Sequence, residues 1–150
     1  MANKRVIVLC GVSGVGKTWA RTHIPELMDL PYVDIADVYR DMPYAGARVA
    51  TEALINKVLK LLKEHDSVVV EGYFLPDTPS RSLLITRLDR FAQALFRLMV
   101  EPIEVCREQV ISSQEDVDLR LEILNKVWAK GGSMLMRMKR EGKTWEPDYE

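Results

Sequence analysis

Cysteine is scarce in this chain of 150 residues: Cys10 lies in an apolar run and Cys106 in a helical pattern. Two isolated thiols make neither a CxxC pair nor a secreted disulfide framework, so both are read as reduced core residues. His23 and His65 have no metal-ligand spacing to each other or to cysteine and stand in no nucleophile–base pattern, which leaves both with structural work. No apolar run approaches the roughly 20 residues that cross a bilayer. The segment KRVIVLC at 4–10 is too short for a signal sequence and leads straight into a glycine loop, so a cytoplasmic location without membrane contact is expected. Nor is charge of one sign in excess. Twenty-one basic side chains face 22 acidic ones, for a net charge of −1. Without a global positive field, long nucleic acid is disfavoured as a partner, while a local basic groove stays open. Repeats and low-complexity linkers are also missing, and the length suits one domain over 1–150.

What is present is alternation. Apolar runs at 5–10, 32–35, 67–71 and 95–100 have the continuous hydrophobicity of strands covered on both faces. Between the second and third, Val49, Ala53, Leu54, Val58, Leu61 and Leu62 recur at helical spacing and predict an amphipathic helix over 45–65. Further helices are expected over 17–27, 80–92, 102–112 and 115–130, the last interrupted by Gly131 and Gly132. The stretch 83–99 reads as a helix followed by a strand in preference to one long helix. Strand, helix, strand in repetition implies right-handed crossovers and a parallel sheet with helices on both faces, an α/β three-layer architecture. Ligands of such sheets gather at the carboxyl ends of the strands.

Directly after the first strand stands GVSGVGKT, comprising Gly11, Val12, Ser13, Gly14, Val15, Gly16, Lys17 and Thr18. This GxxxxGK[ST] pattern is a P-loop, and it is the strongest signal in the chain. Its glycines let the backbone curl with N–H groups inward, and the following helix turns its positive dipole end to the same anion. Lys17 is expected to reach the β- and γ-phosphates of ATP, and the Thr18 hydroxyl to hold Mg2+.

The segment VDIADVYRD puts Asp34, Asp37, Arg40 and Asp41 at the sheet's carboxyl edge. A carboxylate there can orient an acceptor hydroxyl and take its proton, and an arginine can grip an acceptor phosphate. Asp37 is the first choice for base, with Asp34, Arg40 and Arg48 expected at the acceptor. Glu71 ends the third strand, where a carboxylate orders magnesium or its water shell; no second acid follows it, since the next residue is Gly72. Arg107 and Arg120, late in the chain, are candidates for a catalytic clamp in a small lid around 107–120. Met134, Met136 and Met138 are expected to pack, and Trp145 to cap the core.

Together GVSGVGKTWA, DVYRD, VVVEG and VEPIEVC resemble the P-loop kinases related to polynucleotide kinase, with a looser likeness to gluconate and shikimate kinases. The resemblance covers most of the chain. It implies a five-stranded parallel sheet, ATP bound at the first motif, and an acceptor hydroxyl activated by the aspartate of the D-x-Y-R context, here Asp37. It departs from that pattern in the lid, for CREQVISSQEDVDLR carries only Arg107 and Arg120 among several acids. The expected activity is transfer of the ATP γ-phosphoryl group to a hydroxyl or phosphate acceptor, such as a nucleic-acid end, a modified nucleoside or a small metabolite. A nucleotide-binding switch with little turnover is the competing expectation. A GTPase is disfavoured because Asn125 and Lys126 are followed by Val127 and Trp128, which is no NKxD signature.

Overall fold

The computed structural model describes residues 4–142, so Trp145 lies outside the described residues. Four apolar runs become strands: β1 (Arg5–Cys10), β2 (Tyr32–Asp34), β3 (Ser67–Gly72) and β4 (Gln93–Leu98). All pair in parallel, in the order β2-β3-β1-β4. The strand that carries the glycine loop is therefore flanked by neighbours on both sides, one of which carries Glu71.

Side chains on successive strand residues point to opposite faces, and both faces are covered. On one, Ile7, Leu9 and Val69 pack against Ala20 and Leu27 of α1 (Lys17–His23) and α2 (Pro25–Met28). On the other, Val6, Val8, Val68 and Val70 join the larger core. That core draws on α3 (Ile35–Asp41), α4 (Ala47–Leu62), α5 (Pro79–Leu88), α6 (Ile103–Ser113) and α7 (Val117–Arg140). Alternating apolar runs and amphipathic segments give three layers, and 83–99 divides into helix and strand as expected.

Three expectations need correction. The helix expected over 17–27 is two, because Pro25 forces Ile24 into extended backbone, ψ 120°, and has no N–H to continue the ladder. The last helix is not interrupted at Gly131 and Gly132 but runs on to Arg140. There Gly132 is buried beside the Trp128 indole, and Met134, Leu135, Met136 and Met138 pack on the core as expected. The sheet has four strands among the described residues, not five: after α6 the chain enters a 24-residue amphipathic helix instead of returning as a strand, which leaves β4 at the edge. Among the described residues, no helix is long and apolar enough to cross a membrane.

Candidate active site

The glycine loop leaves β1 and closes against two other parts of the fold. Gly14 has φ 81° and Gly16 φ 105°, left-handed values that glycine adopts without steric cost. A Cβ on Gly14 would stand 2.3 Å from the Cys106 carbonyl oxygen, so the loop lies directly on the first turn of α6. On the opposite side the Gly11 N–H donates to the Tyr73 carbonyl at 3.2 Å, and the hydroxyls of Ser13 and Tyr73 are 3.0 Å apart. Gly16 opens α1 with no side-chain cap, leaving the first N–H groups of that helix turned toward the loop.

Lys17 curls back over this loop. Its ammonium donates to the Gly11 carbonyl at 2.7 Å and lies 4.9 Å from the centroid of the Tyr73 ring. Although the residue keeps some exposed surface, burial of the ammonium pushes its pKa down to about 8; the negative charges of Asp34 and Glu71 oppose that shift, and Arg120 adds slightly to it.

Parallel register sets Asp34 of β2 beside Glu71 of β3, and Glu71 beside Leu9 of β1. Glu71 is 1% exposed, and both its oxygens are occupied: the Thr18 hydroxyl donates to Oε1 at 2.8 Å, and Arg21 Nε donates to Oε2 in an ion pair. Asp34 caps α3 by accepting the Ala36 N–H at 2.9 Å; burial raises its pKa, against the lowering effect of that hydrogen bond. In the first turn of α3, Asp37 pairs with Arg40, both side chains half exposed.

The other candidates lie further out. Arg40 also faces Glu115 at 3.9 Å, which brings α3 up to the turn between α6 and α7. From the first turn of α7 Arg120 donates back to the Ser113 hydroxyl at 2.7 Å and to the Glu115 carbonyl at 3.1 Å, while Arg107 donates to Asn125 at 2.8 Å and ties α6 to α7. Arg48, on an exposed turn of α4, pairs with Glu52 at 3.3 Å. It lines a cleft of about 440 Å³ between the starts of α4 and α5, with Pro79 and Leu83 opposite; no residue of the glycine loop lines that cleft. His23 stacks on Trp19 with ring centroids 4.5 Å apart, in keeping with a structural role.

Two residues of the site escaped the sequence reading. Tyr73 follows Glu71 by two positions at the end of the strand next to β1, a position that could have drawn notice. Arg21 follows Thr18 by one helical turn, the spacing that aims both side chains at the same carboxylate.

No protein-family model matches the chain, and no curated protein does. Solved structures do. A chain of the Pnkp1/Rnl/Hen1 RNA repair complex superposes with a TM-score of 0.65 at 17% identity, over 98% of this chain and 48% of that one. The fold is that of the P-loop kinases. A gluconokinase from Sinorhizobium meliloti 1021 matches with a TM-score of 0.54 at 16% identity, over 84% of this chain and 75% of that chain. A shikimate kinase from Bacteroides thetaiotaomicron matches at 0.50 and 16%, over 89% and 82%. This chain spans about half the length of the RNA repair protein it matches. Identities this low speak for the fold alone. In P-loop kinases the loop after β1 carries the nucleotide phosphates and an oxygen-ligated Mg2+. The oxygens at this edge, the Thr18 hydroxyl and the Asp34 carboxylate with the Glu71 carboxylate holding Thr18, fit such a hard ion. Among the described residues no group of three or more His, Cys, Asp and Glu side chains could hold a metal unaided.

Proposed function

We propose that the chain is an ATP-dependent kinase of the cytosol, a single domain over 1–150 that moves the γ-phosphoryl group of ATP to a hydroxyl or phosphate acceptor. The observation that carries this reading is the convergence of three strand ends. The β1 loop supplies Lys17, β3 supplies Glu71 behind Thr18, and β2 runs through Asp34 directly into the short helix that presents Asp37 and Arg40.

The division of labour follows from chemistry. Backbone N–H groups of residues 11–18 and the Lys17 ammonium bind the β- and γ-phosphates; to do so Lys17 exchanges the Gly11 carbonyl for phosphate oxygen. Mg2+, when bound, neutralises charge on those phosphates, and Thr18 would hold it with Glu71 behind. Asp37 orients an acceptor hydroxyl and accepts its proton as the new P–O bond forms; Arg40 keeps the Asp37 carboxylate in place and can grip an acceptor phosphate. Asp34 can accept a hydrogen bond from an acceptor hydroxyl, and Arg48 lines the separate α4–α5 cleft, where a remote part of the acceptor would have to reach it. Arg120, bonded to Ser113 and the Glu115 carbonyl, and Arg107, bonded to Asn125, are the candidate lid arginines, and each must exchange those partners to reach a phosphate.

Engagement of both lid arginines within the α6–α7 pair supports a second reading, a nucleotide-binding switch with slow turnover. One experiment separates the two: incubation with Mg-ATP carrying labelled γ-phosphate, against a panel of nucleic-acid ends, nucleosides, sugars and small hydroxy acids. Transfer that depends on Lys17 and Asp37 supports the kinase and names the acceptor class. Tight ATP binding with no transfer across the panel favours the switch.

A further inference from the structure

We infer that Arg21 is a positioning residue for the metal site: it withdraws Glu71 from direct contact with the metal and fixes it as the anchor of the Thr18 hydroxyl. This deepens the nucleotide-site part of the reading above and rests on it, though not on the identity of the acceptor.

The inference comes from counting donors and acceptors. Glu71 presents two carboxylate oxygens, and each has a partner from α1: Oε1 receives the Thr18 hydroxyl proton and Oε2 receives Arg21 Nε–H. Arg21 is held in turn, its guanidinium carbon 3.5 Å from the centroid of the Tyr32 ring and its side chain only 15% exposed. Lys17, Thr18 and Arg21 fall within one turn and a fraction of α1, so a single short helix supplies the phosphate cation, the metal hydroxyl and the clamp on the carboxylate. A hydroxyl has one proton to donate. With that proton directed at Glu71, the lone pairs of Thr18 are left for a cation, the orientation a metal-binding hydroxyl needs. A neutral or missing Arg21 would leave Glu71 buried without its counter-charge and free to turn away from Thr18. The aromatic ring below suits arginine's planar cation better than a lysine ammonium.

At the same edge, the Asp34 carboxylate has one described hydrogen bond, from Ala36 N–H, and no ion pair among the described residues. With Glu71 committed to α1, Asp34 is the acid left to face the water shell of the metal. Three side chains on two elements, α1 and β3, thus acquire distinct roles: Thr18 on the metal, Glu71 behind Thr18, and Arg21 behind Glu71.

The test uses the full chain and two titrations by calorimetry, ATP with EDTA and ATP with saturating Mg2+, on the wild type, Arg21→Gln, Arg21→Lys and the double variant Arg21→Gln/Glu71→Gln. For Arg21→Gln we expect metal-free ATP affinity within about twofold of wild type and a loss of about 10- to 100-fold in the affinity gained from Mg2+, the range that loss of a metal-supporting side chain produces. Arg21→Lys should recover part of that gain by restoring the charge. The double variant should recover part as well, since the Gln amide oxygen accepts from Thr18 without burying a charge, and it carries the test if Arg21→Gln does not fold. Equal losses in both titrations would overturn the inference, because Arg21 would then only support the helix. Unchanged affinity in both, or no recovery in the double variant, would overturn it too. A wild type that binds Mg-ATP more tightly than ATP yet transfers phosphate to no acceptor would defeat the kinase reading and leave this inference to be decided by the titrations. A wild type whose ATP affinity ignores Mg2+ would overturn both.

Discussion

The hydroxyls of Ser13 and Tyr73 lie 3.0 Å apart, and they tie the nucleotide loop after β1 to the connection after β3. The Tyr73 ring also lies beside the Lys17 ammonium, so one aromatic side chain touches the loop at its tip and at its base. Tyr73→Phe removes the tie and keeps the ring. It should cost about 1 kcal/mol of stability, the net worth of one hydrogen bond, and raise KM for ATP with little change in kcat. Chemical denaturation and steady-state kinetics check the two halves.

Lys17 should make nucleotide binding depend on pH. Its pKa in the folded chain, about 8, lies below its ordinary 10.5. Below pH 8 the lysine is charged folded or unfolded; between about 8 and 10.5 only the unfolded chain keeps the proton, so this group makes stability rise with pH across that window. Bound phosphate acts in the opposite sense by holding the charged form, so ATP affinity falls as pH rises through about 8. Calorimetry at about pH 9 in buffers of differing ionisation enthalpy should register proton uptake on ATP binding that disappears at about pH 6.5. In Lys17→Arg the uptake should vanish at both.

Asp37→Asn should leave ATP affinity unchanged and slow transfer to a hydroxyl acceptor by about 10²- to 10⁴-fold, the usual contribution of a general base. Lys17→Ala should weaken both binding and transfer. Full transfer by the Asp37 variant would remove that residue as base and turn attention to Asp34, which is more buried and borders Glu71.

Gly131 and Gly132 should respond oppositely to alanine. At Gly131 a Cβ meets nothing within 4 Å, so Gly131→Ala should stabilise α7 by roughly 1 kcal/mol through helix propensity alone. At Gly132 the same Cβ would stand 2.6 Å from the Trp128 indole nitrogen, and Gly132→Ala should destabilise by displacing that ring. Thermal melts of the two variants test the pair directly.

The glycine pair also illustrates what the sequence could and could not reveal. Two adjacent glycines weaken a helix locally, and local reading stops the helix there; the packing of Trp128 and of Met134, Leu135 and Met138 on the core overrides that weakness and cannot be seen in a linear pattern. The P-loop was legible because its chemistry is contiguous: strand, glycines, lysine and hydroxyl lie in 14 consecutive residues from Arg5 to Thr18. Asp34 and Glu71 could be placed at the carboxyl edge from strand ends alone. That they are direct neighbours depends on β3 lying between β2 and β1, which spacing does not encode. Arg21 and Tyr73 went unread for the same reason, since each draws its meaning from a partner about 50 to 60 residues away. The fifth strand was expected from resemblance rather than from any apolar run, and none of the four runs supplied it.

The contact between Gly14 and the Cys106 carbonyl has a mechanical side. Val110 also crowds Gly14, so the first two turns of α6 are wedged beneath the nucleotide loop and cannot slide without dislodging it. Any swing of the 107–120 segment over a bound nucleotide must then hinge beyond Val110, at the elbow where Gln114 and Asp116 adopt left-handed backbone with φ 57° and 45°. Leu124 and Leu135 hold the continuous α7 in the core, so what lies outside both anchors is the short elbow of residues 111–120, and Arg120 sits at its far end.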